Sequence, residues 1–221
     1  LEDYIGRMKE GQEAIYYIAG DDMDAIQRSP QLEGFRAKGI EVLLMNDPID
    51  EFWVPTVGVY ETKPFKSVTR GGDDLDKIKD ADAPEETKQT EEEAKGMDAL
   101  VALIKLELGE AVQDVRSSSR LTDSAVCLVA GENDLDMNLQ RLLKQQGQLT
   151  AITPRVLELN PKHALITGLA AKAAESGAAD ILKDAAHLLL DQARIIEGEP
   201  VTDPAAYAKR MSHIMTAAFG G

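Results

Sequence analysis

The length, composition and charge of this chain exclude several classes of protein. Its 221 residues and hydrophobic share of 43% allow one large domain or two ordinary ones. No apolar run approaches the roughly 20 residues that cross a bilayer. A net charge of −15 opposes binding to nucleic-acid phosphates or anionic lipid. The single cysteine, Cys127, cannot form an internal disulfide, so we expect a cytoplasmic location with protein or peptide partners.

The beginning of the chain has neither Met nor the charged and apolar regions of a signal peptide. We therefore interpret the sequence as a piece of a longer protein.

The first part of the chain predicts a β-α-β unit. Residues 14–19 and 40–45 are short apolar runs of the kind that form buried strands. Between them, Ser29 and Pro30 predict a helix start, and Gly39 suits the position just after the helix end.

A second helix is predicted after these strands. Asp47 is expected to cap it, because Pro48 already has a helical φ and the residues that follow are acidic. Pro55 is expected to end or kink this helix early.

Residues 71–96 form a strongly acidic stretch. It contains ten acidic residues against four lysines, a net charge of −6, and is predicted to be a solvated connector. Its second half, residues 85–95, also suits the polar start of a helix that continues through Leu100, Leu103, Ile104 and Leu108.

The remainder predicts a mixed domain that ends in helices. Strands are expected at residues 112–115, 125–130 and 155–159, with an amphipathic helix at about 134–146. Helices are then expected from Pro161, over residues 178–197, and after the Asp203-Pro204 cap.

The residue types that carry catalysis lack the spacing that catalysis requires. There is no phosphate-binding loop, dinucleotide fingerprint, zinc-protease motif or nucleophile elbow. His163, His187 and His213 lie far apart without carboxylate or cysteine at metal-ligand spacing, which favours ordinary surface or packing roles. Cys127 lies in an apolar run and is interpreted as a buried thiol.

The last two predicted helices carry wide apolar stripes. Their members recur at spacings of three and four residues: Ile181, Leu182, Ala185, Leu188, Leu189, Gln192, Ile195 and Ile196, then Tyr207, Met211, Ile214, Met215 and Ala218. Two helices from each of two copies would close a four-helix bundle about a two-fold axis. The alternative is that these helices pack on the strands of their own domain.

The helix near residues 134–146 is only moderately apolar. Its apolar members are Leu135, Met137, Leu139, Leu142 and Leu143. The pattern favours a core helix, although the same side chains on a projecting helix would form an adaptable binding patch.

Several segments together resemble the ninety-kilodalton heat-shock protein family of chaperones, and its bacterial members in particular. They lie in family order along nearly the whole chain: residues 4–20 (YIGRMKEGQEAIYYIAG), 38–43 (KGIEVL), 47–51 (DPIDE), 138–141 (NLQR), 157–163 (LELNPKH) and 203–204 (DP).

The resemblance implies an α+β fold divided into three parts. Residues 1–72 would form the C-terminal lobe of the chaperone middle domain, 73–96 an acidic connector, and 97–221 the C-terminal dimerisation domain. The parent protein would be an ATP-dependent chaperone with magnesium as its second cofactor. This fragment would lack the ATP-binding domain, hold no cofactor and catalyse no reaction.

The resemblance also implies two binding surfaces. It assigns the dimer interface to the two terminal stripes, which would form the intermolecular four-helix bundle. It assigns contacts with non-native client proteins to the helix with Leu135, Met137, Leu139, Leu142 and Leu143. It extends that client surface to Glu51, Phe52 and Trp53, although Pro55 and Gly58 depart from the family pattern there.

Two other functions fit parts of the sequence. One is a small-molecule α/β enzyme with a site near the strand ends of the first domain. The other is a dimerisation module that contacts no client.

Overall fold

A computed structural model describes residues 1–70, 75, 78, 90–173 and 179–219. These residues form an α+β fold, as predicted, in two compact units. The first unit contains Leu1–Glu86, Ser119–Thr122 and Val129–Thr153. The second unit contains Thr87–Ser118, Asp123–Leu128 and Pro154–Gly221. The domain boundaries implied by the family resemblance stay a prediction.

The first unit is built on a four-stranded sheet in the order β2-β1-β4-β3. Its strands are β1 (Ile15–Ala19), β2 (Leu43–Met45), β3 (Val59–Tyr60) and β4 (Lys63–Ser67). β1 pairs in parallel with both β2 and β4, whereas β3 and β4 form an antiparallel hairpin. The predicted β-α-β unit is therefore confirmed for β1 and β2.

Both faces of β1 are buried. Tyr16 and Ile18 join one apolar cluster, while Tyr17 and Ala19 join the other. Burial on both faces is typical of a parallel strand flanked by helices, and it accounts for the unbroken apolar run in this segment.

Short helices surround this sheet. They are α1 (Glu2–Gly6), α2 (Met23–Gln27), a 3-10 turn at Pro30–Leu32, α3 (Glu33–Ala37) and α4 (Asp50–Val57). Gly39 follows α3 with a φ of +61°, and the amides of Gly39 and Ile40 donate to the carbonyls of Arg36 and Phe35. This hydrogen-bond pair is the Schellman motif, so the predicted role of Gly39 is confirmed.

The start predicted for α4 was wrong. The helix begins at Asp50, not directly after Asp47, because the Asp47 carboxylate accepts the amide of Ile49 and forms a turn before the helix. The helix continues past Pro55 to Val57, and Gly58 follows it with a φ of +64°.

The second unit combines helices with a three-stranded sheet in the order β5-β7-β6. Its strands are β5 (Asp114–Ser117), β6 (Val126–Val129) and β7 (Val156–Leu159), with β5 and β7 parallel. All four residues of β7 are buried. The buried carboxylate of Glu158 accepts hydrogen bonds from Arg116 and Ser118, which compensates part of the cost of its burial.

Among the described residues, the second unit contains four α-helices, and one further helix belongs to the first unit. In chain order they are α5 (Glu91–Leu108), α6 (Met137–Gln145, first unit), α7 (Ala164–Ala173), α8 (Ala179–Ile196) and α9 (Pro204–Phe219). α5 packs against α7 and α8, and α8 packs against α9. Thr90 and Glu93 form a capping box at the start of α5.

Parts of two predicted segments lie outside the described residues. These are most of the acidic connector before Thr90 and the predicted helix start at residue 178. The part of α5 that is described confirms the helix expected through Leu100, Ile104 and Leu108, all of which are buried.

Candidate functional site: the α6 anchor and the apolar surfaces

The N-terminus of α6 is anchored by a buried carboxylate. Asp136 is the N-cap residue, and its Oδ1 accepts the backbone amide of Asn138 at 2.9 Å. Its Oδ2 accepts the hydroxyl of Thr69 at 2.7 Å and also the hydroxyl of Ser67. Every one of these donors lies in the first unit. The hydrogen bonds offset the cost of burying this carboxylate and fix the first turn of α6 to the end of β4.

A second buried carboxylate connects α6 to α4. Glu51 is only 4% exposed, and its Oε1 accepts a 2.6 Å hydrogen bond from Nδ2 of Asn138. Burial first, and then the charge of Asp136, raise the pKa of Glu51 from 4.5 to about 7, while the hydrogen bond from Asn138 opposes this shift. We call Glu51, Ser67, Thr69, Asp136 and Asn138 the cap cluster.

The structure places the three predicted client-contacting residues of α4 in different environments. Glu51 is buried in the cap cluster. Trp53 is half-buried, with its ring edge-on to Phe65 at a centroid distance of 5.6 Å and its Nε1 donating to Asp50 at 2.7 Å. Phe52 is 46% exposed, so it alone of the three presents a large open apolar face.

The apolar residues of the α6 segment divide in a similar way. Leu135, just before the helix, is 43% exposed, whereas Met137 is 2% exposed. Leu139, Leu142 and Leu143 are half-buried. The face of α6 predicted to bind clients is thus partly open, and Met137 belongs to the core of the unit.

The predicted interface residues of α8 fall into two groups. Leu182, Ala185 and Leu189 are buried within the chain. The others are half-buried or exposed: Ile181, Leu188, Gln192, Ile195 and Ile196. One edge of the stripe is therefore buried in the chain's own core, and the other edge is at least partly exposed to solvent.

Helix α9 has no buried residue among those described. Tyr207, Met211 and Ile214 are half-buried, whereas Met215 and Ala218 are exposed. Phe219, which is not among the predicted interface residues, is 83% exposed. The apolar stripe of this helix is largely uncovered within one chain.

Polar contacts hold α9 and the loop before it in place. The Asp184 carboxylate of α8 lies 2.6 Å from Nδ1 of His213 and 3.7 Å from Nε of Arg210. In the loop, Glu199 lies 2.7 Å from Nη2 of the buried Arg155. The Asp203 side chain accepts the amide of Ala206, which confirms the predicted cap.

The residues weighed for catalysis or metal binding do not converge. No group of three metal-ligating side chains occurs in the part of the chain that the structure describes. Cys127 is buried, with its sulfur 3.9 Å from Glu158. His163 accepts the Leu165 amide through Nδ1. None of the described helices is long and apolar enough to span a bilayer.

The cap cluster was missed by the sequence analysis except for Glu51. Asp136 directly precedes an amphipathic helix, and aspartate is a preferred N-cap residue, so its capping role could have been predicted from the sequence. The hydroxyls of Ser67 and Thr69 offer none, because they reach Asp136 from a distant part of the sequence.

Comparison with known proteins gives consistent results along the chain. The family model described as "Hsp90 protein" matches residues 1–221. A protein named "Chaperone protein HtpG" from Roseobacter denitrificans is 56% identical over 220 residues, covering 99% of this chain and 35% of that relative. Proteins of the same name from Paramagnetospirillum magneticum and Rhodospirillum rubrum are 55% and 51% identical, and each match covers 97% of this chain and 34% of the relative. The chain spans about a third of the length of these relatives.

Proposed function

Because the chain belongs to the Hsp90 family, we propose that it supplies homodimerisation and part of the client-protein surface of an ATP-dependent cytoplasmic chaperone. The name shared by its relatives supports the chaperone assignment. In this proposal, ATP and magnesium act in a part of the protein outside this chain, and this segment itself catalyses no reaction.

The observation that carries the dimerisation proposal is the open apolar face of α9. Met215 is 52% exposed and Phe219 is 83% exposed, and Ile195 and Ile196 are exposed at the end of α8. Pairing these helices with those of a second copy would remove the apolar side chains from water, which is the main driving force of association. In a four-helix bundle with two-fold symmetry, the apolar helices of each copy cover the same helices of the other copy.

The client surface is proposed on the first unit. Phe52 and Leu135 are exposed there, and Leu139 and Leu142 are partly open. Flexible leucine side chains adapt to partners of different shape, which suits the binding of non-native proteins. The buried members of the predicted set, Glu51 and Met137, would contribute through the packing of α4 and α6.

The mass of the chain in solution tests the dimerisation proposal. Light scattering at micromolar concentration is expected to give twice the monomer mass of 24.0 kDa. Removing residues 203–221 deletes α9 but keeps Glu199 and its contact with Arg155. This truncated chain is expected to be a folded monomer, because α9 contributes no buried residue. A truncated chain that still dimerises would locate the interface elsewhere.

The enzyme alternative receives no support from the comparisons, in which the reported relatives are named as chaperones. A thermal-shift screen against metabolites separates the two functions, since a strong and selective shift would favour the enzyme. Binding of an unfolded model protein separates a chaperone segment from a dimerisation module that contacts no client.

A further inference from the structure

We propose that Glu51 is a positioning residue: its carboxyl group, through Asn138, holds α6 against α4 and so sets how much of the α6 face is open to clients. The part of this proposal that concerns clients rests on the proposed function. The part that concerns α6 depends only on the contacts of the first unit.

The first support for this role is that Glu51 faces inward. Its side chain is almost completely buried, so a client cannot reach it while α6 is docked. Its one hydrogen-bond partner in the described part of the chain is Nδ2 of Asn138, at 2.6 Å. Asn138 is itself buried and lies in the first turn of α6. The bond therefore joins two helices that are far apart in the sequence.

The second support is that this bond links α6 to α4 through side chains, whereas Asp136 links α6 to the end of β4. Asp136 accepts the hydroxyls of Ser67 and Thr69, and its other oxygen accepts the amide of Asn138. Asn138 is thus held from both sides, by its backbone through Asp136 and by its side chain through Glu51. Losing the Glu51 contact would leave a buried amide donor unpaired, which is unfavourable.

The charges around Glu51 make the contact sensitive to protonation. The charged groups that act on it are all acidic: Asp136 at the start of α6, Asp21 after β1, and Asp50 in α4. Tyr17 of β1 also faces this region, and burial with the charge of Asp136 raises its hydroxyl pKa, so it stays neutral. Because these neighbours in the described part of the chain are acidic and the site is buried, the docked state stabilises the neutral carboxyl of Glu51 relative to the charged form.

Protonation should accordingly strengthen the docking of α6. With a pKa of about 7 in the docked state and an ordinary value once α6 is released, the docking equilibrium should weaken roughly tenfold from about pH 6 to about pH 8. The only covalent change in this step is the loss or gain of the carboxyl proton, which Glu51 exchanges with solvent when α6 opens.

Hydrogen exchange of the α6 backbone amides in the 221-residue chain tests this role. After correction for the intrinsic pH dependence of exchange, protection in the wild type should fall roughly tenfold from about pH 6 to about pH 8. Glu51→Gln keeps an oxygen acceptor for Asn138 but cannot ionise, so its protection should stay at the acidic wild-type level. Glu132→Gln is the matched control, because Glu132 is exposed and lies shortly before α6.

A double-mutant comparison and a binding measurement complete the test. Asn138→Ala should lower α6 protection at both pH values, because the side-chain link to Glu51 is gone, and Glu51→Gln should still flatten the remaining pH dependence, because burial and Asp136 raise the Glu51 pKa without Asn138. In every variant, an unfolded model protein should bind more tightly where α6 protection is higher and more weakly where it is lower. The proposal is overturned if Glu51→Gln and wild type share one pH profile, or if Glu51→Gln weakens binding tenfold with α6 protection unchanged. If the wild type binds no unfolded protein, the proposed function fails, while the exchange data still decide the role of Glu51.

Discussion

The side-chain amide of Asn138 donates a 2.6 Å hydrogen bond to the carboxyl group of Glu51, and this contact connects α6 to α4 inside the first unit. A buried carboxyl group at the junction of two helices makes the stability of the unit depend on pH. The surrounding acidic residues, Asp136, Asp21 and Asp50, increase that dependence.

The first prediction concerns stability against pH. Burial and the charge of Asp136 raise the pKa of Glu51 to about 7 in the folded state, so the folded chain holds a proton that the unfolded chain loses near its ordinary pKa. The stabilisation is complete below the unfolded pKa and is lost as pH rises through about 7. Its upper limit is about 3 kcal/mol. Urea unfolding followed by Trp53 fluorescence, between about pH 5 and about pH 8, measures it.

Glu51→Gln supplies the control for this measurement. It should remove most of the loss of stability between about pH 5 and about pH 8, because glutamine does not titrate in that range. An equal loss in the variant would assign the effect to other groups.

Local signals in the sequence predicted the elements that depend on neighbouring residues. Gly39 forms the Schellman motif after α3, and Asp203 caps α9, because both roles require only adjacent backbone groups. Helix α2 was missed, although Asp22 caps it by accepting the Ala25 amide, because its five residues carry little apolar periodicity.

Contacts between segments that are far apart in the chain could not be predicted from the sequence. Strand β4 contains Pro64, which lacks an amide donor and argues against a central strand, yet β4 lies between β1 and β3. The pairing is possible because β1 meets β4 from Phe65 onward, beyond the proline. The α8 stripe has the same limitation, since periodicity does not distinguish Leu182, which is buried in its own chain, from Ile195, which is open.

The second prediction compares two helical glycines. A Cβ at Gly34 would lie 2.7 Å from the carbonyl oxygen of Arg120, so Gly34→Ala should destabilise the first unit by about 1 to 3 kcal/mol. A Cβ at Gly168, inside α7, would meet no atom within 4 Å. Gly168→Ala should stabilise the second unit by about 1 kcal/mol through helix propensity. Thermal unfolding measures both, and destabilisation by Gly168→Ala would contradict the open space seen around this residue.

The third prediction separates surface from core in the α6 segment. Leu135→Ser should weaken binding of an unfolded model protein with little change in melting temperature, because Leu135 is 43% exposed. Met137→Ala should instead cost about 2 to 5 kcal/mol of stability, because Met137 is buried. Fluorescence anisotropy gives the binding and calorimetry gives the stability. A large drop in stability for Leu135→Ser would place this residue in the core and remove it from the client surface.

The fourth prediction places the dimer interface on the open face of α9. In a two-fold interface, Met215→Glu introduces an unpaired carboxylate from each copy, and burying each one costs several kcal/mol. The dimer dissociation constant should therefore rise at least about a hundredfold, and light scattering at micromolar concentration should report a monomer. The fold should survive, because Met215 is exposed within one chain. Thr216→Glu, also exposed on α9 but outside the apolar stripe, is the control and should leave the dimer intact. Equal masses for Met215→Glu and wild type would show that this face of α9 does not hold the two copies together.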